Sequence, residues 1–135
     1  MTEANGVPIS IVTAPANVPD AKLLKRTLDS IVLKRPSPKW VEQNLLADKG
    51  YTDRKSRITA WEYGYRPHIP QKKNAKVKIP KRPGRRKARR WVVEQIFGCL
   101  NRNREVLIRW QKIPENYEAI LHCAAAVLCF NRSNR

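Results

Sequence analysis

Acid is scarce in this sequence. Its 135 residues hold 11 Asp and Glu against 28 Lys and Arg, a formal net charge of +17. Between Tyr65 and Val93 there are twelve Lys or Arg and no acid at all. Such an excess works against a compact monomer by self-repulsion and suits a polyanionic partner, with nucleic acid the leading candidate. Long apolar runs are missing too. Nothing approaches the roughly 20 apolar residues that span a bilayer, and no helical stretch has a separate lysine-rich face, so a membrane partner is not expected. The first residues lack a charged region followed by an apolar core and a small-residue cleavage site, so no signal peptide is expected. Cysteine is limited to Cys99, Cys123 and Cys129, none in a metal-ligand pair. Their apolar helical settings predict buried packing thiols and a reducing cytoplasm.

What is present suffices for one domain with a modest core, given 41% apolar residues and the usual domain size of about 100–150 residues. No internal repeat is visible. Asn5-Gly6 is a turn signal before a β-branched run, which predicts a hairpin ending in a strand near Ile9–Thr13. Pro15 and Pro19 stop it. Apolar residues at helical spacing then predict a helix from Asp20 to Leu33, with Asp20 as N-cap.

Asn44-Leu45-Leu46-Ala47 reads as a buried strand whose carboxyl end carries Asp48, followed by a glycine turn at Gly50. Thr52 to Tyr63 has helical spacing, with Ile58 and Trp61 as contacts and Gly64 as C-cap. Tyr65 to Pro70, bearing two prolines, fits an edge strand. Residues 71–89 are basic and proline-bearing, and predict a flexible loop ordered by its partner.

Helix is expected again from Arg90 to Trp110, with Val93, Phe97, Leu100, Leu107 and Trp110 along one stripe. Pro114 opens a last helix that buries Tyr117, Ile120, Leu121, Ala124, Val127 and Leu128. Trp61, Trp91 and Trp110 fall on these stripes and are expected in the core. The order of elements predicts an α/β domain, a small mixed sheet with packed helices and a basic loop.

Two carboxylates stand apart. Asp48 lies just past the carboxyl end of a strand, where α/β sheets present functional groups. Glu94 lies in the first turn of a helix, directly after the most basic run. Facing one cleft, the two acids would share a divalent cation, since hard oxygen ligands hold Mg²⁺ for phosphoryl transfer. The bland alternative is an acid favoured by the helix dipole and weakly paired to Arg90. The basic residues Lys72, Lys73, Arg82, Arg85, Arg86, Lys87, Arg89 and Arg90 are candidates for phosphate contacts, which make affinity fall steeply with salt.

Leu46-Ala47-Asp48-Lys49-Gly50-Tyr51, then Arg90-Trp91-Val92-Val93-Glu94, Leu100-Asn101-Arg102-Asn103-Arg104 and Arg109-Trp110 together resemble the C-terminal half of bacterial insertion-sequence DDE transposases. The closest group is the four/five superfamily with an RNase H-like catalytic domain. Asn5-Gly6-Val7-Pro8-Ile9, Ala16-Asn17-Val18-Pro19-Asp20 and Glu115-Asn116-Tyr117 also look like that family. The resemblance runs along nearly the whole chain in the right order.

It implies that Asp48 is the second catalytic aspartate and Glu94 the catalytic glutamate, both ligands of Mg²⁺ or Mn²⁺. Arg90 matches the arginine of the R-x3-E signature. Asn101 stands where a lysine is often found, with the basic Arg102 beside it as a DNA contact. The first aspartate of the triad has no equivalent here, and Glu3 is not that acid.

The resemblance thus implies an incomplete RNase H-like domain over residues 1–135, without its first strand. The expected activity is transposition: Mg-dependent DNA strand cleavage and transfer at element ends when the domain is complete, and none from this chain alone. Expected partners are DNA at transposon ends and target, with an upstream-frame polypeptide or a second copy. The expected location is the bacterial cytoplasm, at the nucleoid. The competing readings are a non-catalytic basic nucleic-acid-binding protein and an inactive transposase remnant.

Overall fold

Elements form where the sequence punctuates them, and the chain divides into two compact units. A computed structural model describes residues 1–37, 40–71 and 91–134. One unit is Ala14–Ala88, and the other joins Met1–Thr13 to Arg89–Arg135.

The first unit contains α1 (Asp20–Asp29), β1 (Gln43–Leu46), a 3₁₀ turn (Lys49–Tyr51), α2 (Arg54–Glu62) and β2 (Tyr65–His68). The two strands pair in parallel, Gln43 with Tyr65 through Leu46 with His68. A parallel pair needs a crossover, and α2 supplies it. That helix starts at Arg54, two residues after the expected Thr52, because Asp53 caps it, accepting from the Ser56 backbone N–H at 2.8 Å and the Ser56 hydroxyl at 2.7 Å. It ends at Glu62 with Tyr63 rather than Gly64 at the C-cap position, and Gly64 follows with a φ of 74° that suits a residue without Cβ.

Helix α1 is shorter than expected, ending at Asp29, and Pro19 rather than Asp20 holds its N-cap position. Proline fixes the extended backbone there, so Asp20 becomes a first-turn acid instead. Arg35 fastens the segment after α1. It donates to the Tyr63 carbonyl at 2.9 Å and stacks 4.2 Å from the centre of the Tyr65 ring. Among the described residues, Leu24, Leu28, Leu45, Ala60, Tyr65 and Ile69 are the buried apolar residues of this unit.

In the second unit the Asn5-Gly6 turn forms as expected, with Gly6 at φ 83°. It makes only an isolated antiparallel bridge between Thr2 and Pro8. The strand expected near Ile9–Thr13 does not form, since a β-branched run is a strand only when its backbone finds a ladder partner.

The single helix expected from Arg90 to Trp110 is broken into α3 (Trp91–Leu100) and α4 (Arg104–Leu107). Asn101-Arg102-Asn103 causes the break. The Asn103 side chain donates to the Leu100 carbonyl at 3.3 Å, and its backbone takes the extended N-cap conformation of α4. Helix α5 (Pro114–Ser133) begins at its proline as expected.

Its core joins Val92, Ile96 and Leu100 of α3 to Val106, Ala124 and Ala125, with Ile11, Ile120 and Leu121 packed around them. The phase of α3 is therefore one residue off the expected stripe. Val93 and Phe97 are exposed, and so are Val127, Ile58, Trp61, Trp91 and Trp110. Of the cysteines, Cys123 is exposed and Cys99 and Cys129 are half-buried, so the expectation of buried thiols fails. Among the described residues the one sheet is a parallel pair, without the mixed pairing expected. Residues 72–89 of the expected basic loop lie outside the described residues.

Candidate functional site

Asp48 stands where the strand-end argument puts it. Beyond Leu46, the Ala47 N–H reaches the His68 carbonyl at 3.4 Å, so pairing persists to the residue before Asp48. The chain then turns, and Asp48 Oδ1 accepts from the Gly50 N–H at 2.8 Å. Aspartate followed two residues later by a backbone donor is a common local turn, and here it orients an exposed carboxylate. Among the described residues its Oδ2 accepts no hydrogen bond.

Around it lie Tyr51 and Asp20. Burial raises the Tyr51 hydroxyl pKa, and the negative charges of Asp20 and Asp48 raise it further. The neutral phenol therefore persists beside the acids through the physiological range. Thr52 ties the turn to the end of the second strand, its hydroxyl bonding the carbonyls of Lys49 at 2.6 Å and Pro70 at 3.2 Å. At the same end of the sheet the His68 ring meets the Asn44 side chain.

Glu94 lies in the first turn of α3, in the other unit. The sequence placed it beside the apolar stripe. With Val92, Ile96 and Leu100 as the buried line, Glu94 is two residues from both Val92 and Ile96. That is about 200° round the helix from each, on the solvent face. Its exposed neighbours Val93 and Phe97 form the line that the sequence assigned to the core.

Arg102, in the α3–α4 link, is exposed. Lys72, Lys73, Arg82, Arg85, Arg86, Lys87, Arg89 and Arg90 lie outside the described residues. A groove of about 280 Å³ between α4 and α5, lined by Asn103, Arg104, Glu105, Ile120, Cys123 and Val127 among others, holds neither candidate acid.

Asp48 and Glu94 are hard oxygen donors of the type that binds Mg²⁺ or Mn²⁺. Among the described residues no three His, Cys, Asp or Glu side chains converge as a metal cluster. Each of the two thus fits a divalent cation in type. Sequence reasoning assigned Gly50 only a turn, although the Asp-x-Gly spacing is the signal for the bond it makes to Asp48. It likewise missed Asp53 as the cap of α2.

Residues 1–129 match the family model of the transposase DDE domain. The chain belongs to that family. A putative transposase for the insertion sequence element IS402 of Burkholderia cepacia is 29% identical over 138 residues, covering 100% of this chain and 63% of its own length. This transposase-family chain therefore spans a little under two thirds of that relative. No solved structure matches it. The family match supports the assignment to insertion-sequence transposases made on the Asp48 and Glu94 motifs. Among the described residues no helix is long and apolar enough to cross a membrane.

Proposed function

We propose that this chain is part of a DNA transposase catalytic domain, incomplete by itself. The observation that carries this reading is the DDE-domain match over residues 1–129, combined with an exposed carboxylate at Asp48, past the end of a parallel strand. The α/β architecture is compatible with part of an RNase H-like domain. The relative's greater length leaves room for a further carboxylate from outside these residues.

Asp48 and Glu94 would hold Mg²⁺ or Mn²⁺. Such an ion, when bound, stabilises charge on the attacking and leaving oxygens of a phosphodiester. Everything else falls to the chain. Gly50 fixes one oxygen of Asp48, and neutral Tyr51 keeps a hydroxyl donor nearby. The cations Lys72, Lys73, Arg82, Arg85, Arg86, Lys87, Arg89, Arg90 and Arg102 grip the DNA backbone at transposon ends and target. Cytoplasmic, nucleoid-associated action follows from such a substrate, and the missing carboxylate would come from an upstream-frame polypeptide. A homodimer is the other assembly in view.

The test is Mg²⁺-dependent nicking of a terminal-repeat duplex. A polypeptide joining this sequence to the remainder of a full-length transposase is expected to cleave, and Asp48→Asn or Glu94→Gln to abolish cleavage. The 135-residue chain is expected to bind the duplex and leave it intact. Robust cleavage by the short chain would overturn the incompleteness. One observation favours a second reading, a non-catalytic nucleic-acid-binding protein or inactive remnant: the excess of 28 Lys and Arg over 11 Asp and Glu suits DNA binding by itself. On that reading, alanine at both acids changes no activity, even in the joined polypeptide.

A further inference from the structure

Gly50 has a closer relation to Asp48 than a turn requires. Its N–H donates to Asp48 Oδ1 at 2.8 Å. A Cβ built on it would come 3.0 Å from the same oxygen, 3.8 Å from the carboxyl carbon and 3.9 Å from Oδ2. Its backbone is not in the left-handed region, where Gly6 and Gly64 lie. Backbone conformation therefore does not call for glycine here, and what a Cβ would crowd is the Asp48 carboxylate. Gly98 is the contrast, with nothing within 4 Å of its would-be Cβ.

The geometry points to Gly50 as a positioning residue for Asp48. Its N–H holds one carboxylate oxygen, and its missing side chain lets the carboxylate lie close over the turn with the second oxygen available to a cation. This rests on the reading of Asp48 as a cation ligand given above. An alanine keeps the N–H but pushes on Oδ1, so the carboxylate has to shift by a few tenths of an ångström. Gly50 is exposed, in a three-residue turn, so that shift leaves the fold in place. A residue acting only through the turn would show the reverse, a loss of stability with the carboxylate unmoved.

The experiment compares the full chain with Gly50→Ala, Asp48→Asn and the open-space control Gly98→Ala. Three quantities are read: the denaturant midpoint, the NMR shift of the Asp48 carboxyl carbon, and the Mn²⁺ affinity from paramagnetic broadening at residue 48. Gly50→Ala is expected to keep the wild-type midpoint, move the carboxyl shift and weaken Mn²⁺ binding about tenfold, the lower end of what lost supporting contacts cost a metal site. Gly98→Ala moves neither of the last two. An unmoved Asp48 carboxyl shift in Gly50→Ala overturns the proposal whatever the manganese does. A midpoint for Gly50→Ala well below that of Asp48→Asn also overturns it, because Gly50 would then serve the fold. Equal Mn²⁺ affinity in wild type and Asp48→Asn sinks the cation reading of Asp48 instead, while the carboxyl shift still reports on the positioning.

Discussion

The Arg132 guanidinium occupies the space that a side chain on Gly6 would need. A Cβ on Gly6 would lie 2.2 Å from Arg132 Nη1 and 3.1 Å from Val92 Cγ1. Arg132 is held there by bonds to the Asn5 carbonyl and, at 3.5 Å, to the Gln95 side chain. The hairpin turn, α3 and the end of α5 thus meet at one arginine. Gly6→Ala therefore meets two penalties, a positive φ of 83° and a collision. It is expected to cost about 1–3 kcal/mol, the range for a non-glycine residue forced into such a backbone. Urea unfolding measures this. In an Arg132→Ala background the clash with the guanidinium disappears and only the approach to Val92 remains, so the cost of Gly6→Ala should shrink. Strict additivity of the two substitutions would refute a shared contact.

Asp53 offers a test with a pH signature. Its carboxylate accepts two bonds from Ser56, and these hold its pKa below the ordinary carboxylate value. A depressed folded-state pKa stabilises the fold above the unfolded value of about 3.9, and that contribution is lost as pH falls through the folded value. Asp53→Ala should cost about 0.5–2 kcal/mol at neutral pH, as lost N-caps do. Asp53→Asn should keep most of the cap and lose the acid-dependent part. Unfolding at pH 7 and at pH 3 separates the variants. A cost of Asp53→Ala that is undiminished at pH 3 would show that the ionised cap is not its source.

The phase of α3 can be read by two adjacent truncations. Ile96 is 4% exposed and Phe97 60% exposed. Ile96→Ala should cost about 2–5 kcal/mol, the usual penalty for emptying a core site. Phe97→Ala should cost less than half as much despite the larger side chain. Equal losses, or the reverse order, would restore the stripe that the sequence suggested. With it, Glu94 would return to the edge of the core.

Legibility in the sequence follows from how each element is specified. Helix α2 was readable because Gly64 punctuates its end, and α5 because Pro114 opens it. Strand β2 was readable as an edge because of its proline. Position alone placed Asp48 past a strand and Glu94 in a first turn. The facing of Glu94 was not readable: Trp91-Val92-Val93 and Ile96-Phe97 are apolar on adjacent positions, so a 3.6-residue period fits two phases equally well. Packing against Ala124 and Ala125 picks the phase with Val92 and Ile96 inside. The strand at Ile9–Thr13 failed for a related reason, since pairing is a non-local property. The tryptophans were assigned to the core because they fall on helical stripes, and a stripe says which residues share a face and not whether a partner covers it.

The basic residues make a prediction about salt. If Lys72, Lys73, Arg82, Arg85, Arg86, Lys87, Arg89, Arg90 and Arg102 contact phosphates, each contact releases condensed counterions. The logarithm of the binding constant then falls with the logarithm of salt at about −0.9 per contact. Replacing Arg85 and Arg86 together by alanine should lower the magnitude of that slope by about 1.8 and weaken binding to every duplex alike. Arg102→Ala should lower it by about 0.9. Fluorescence anisotropy of a labelled terminal-repeat duplex and of a scrambled one, across a salt series, gives both numbers. A loss confined to the terminal-repeat duplex would instead mean that these arginines read base edges. An unchanged slope would remove them from the DNA track, and the charge of the segment would then be only a solvated surface.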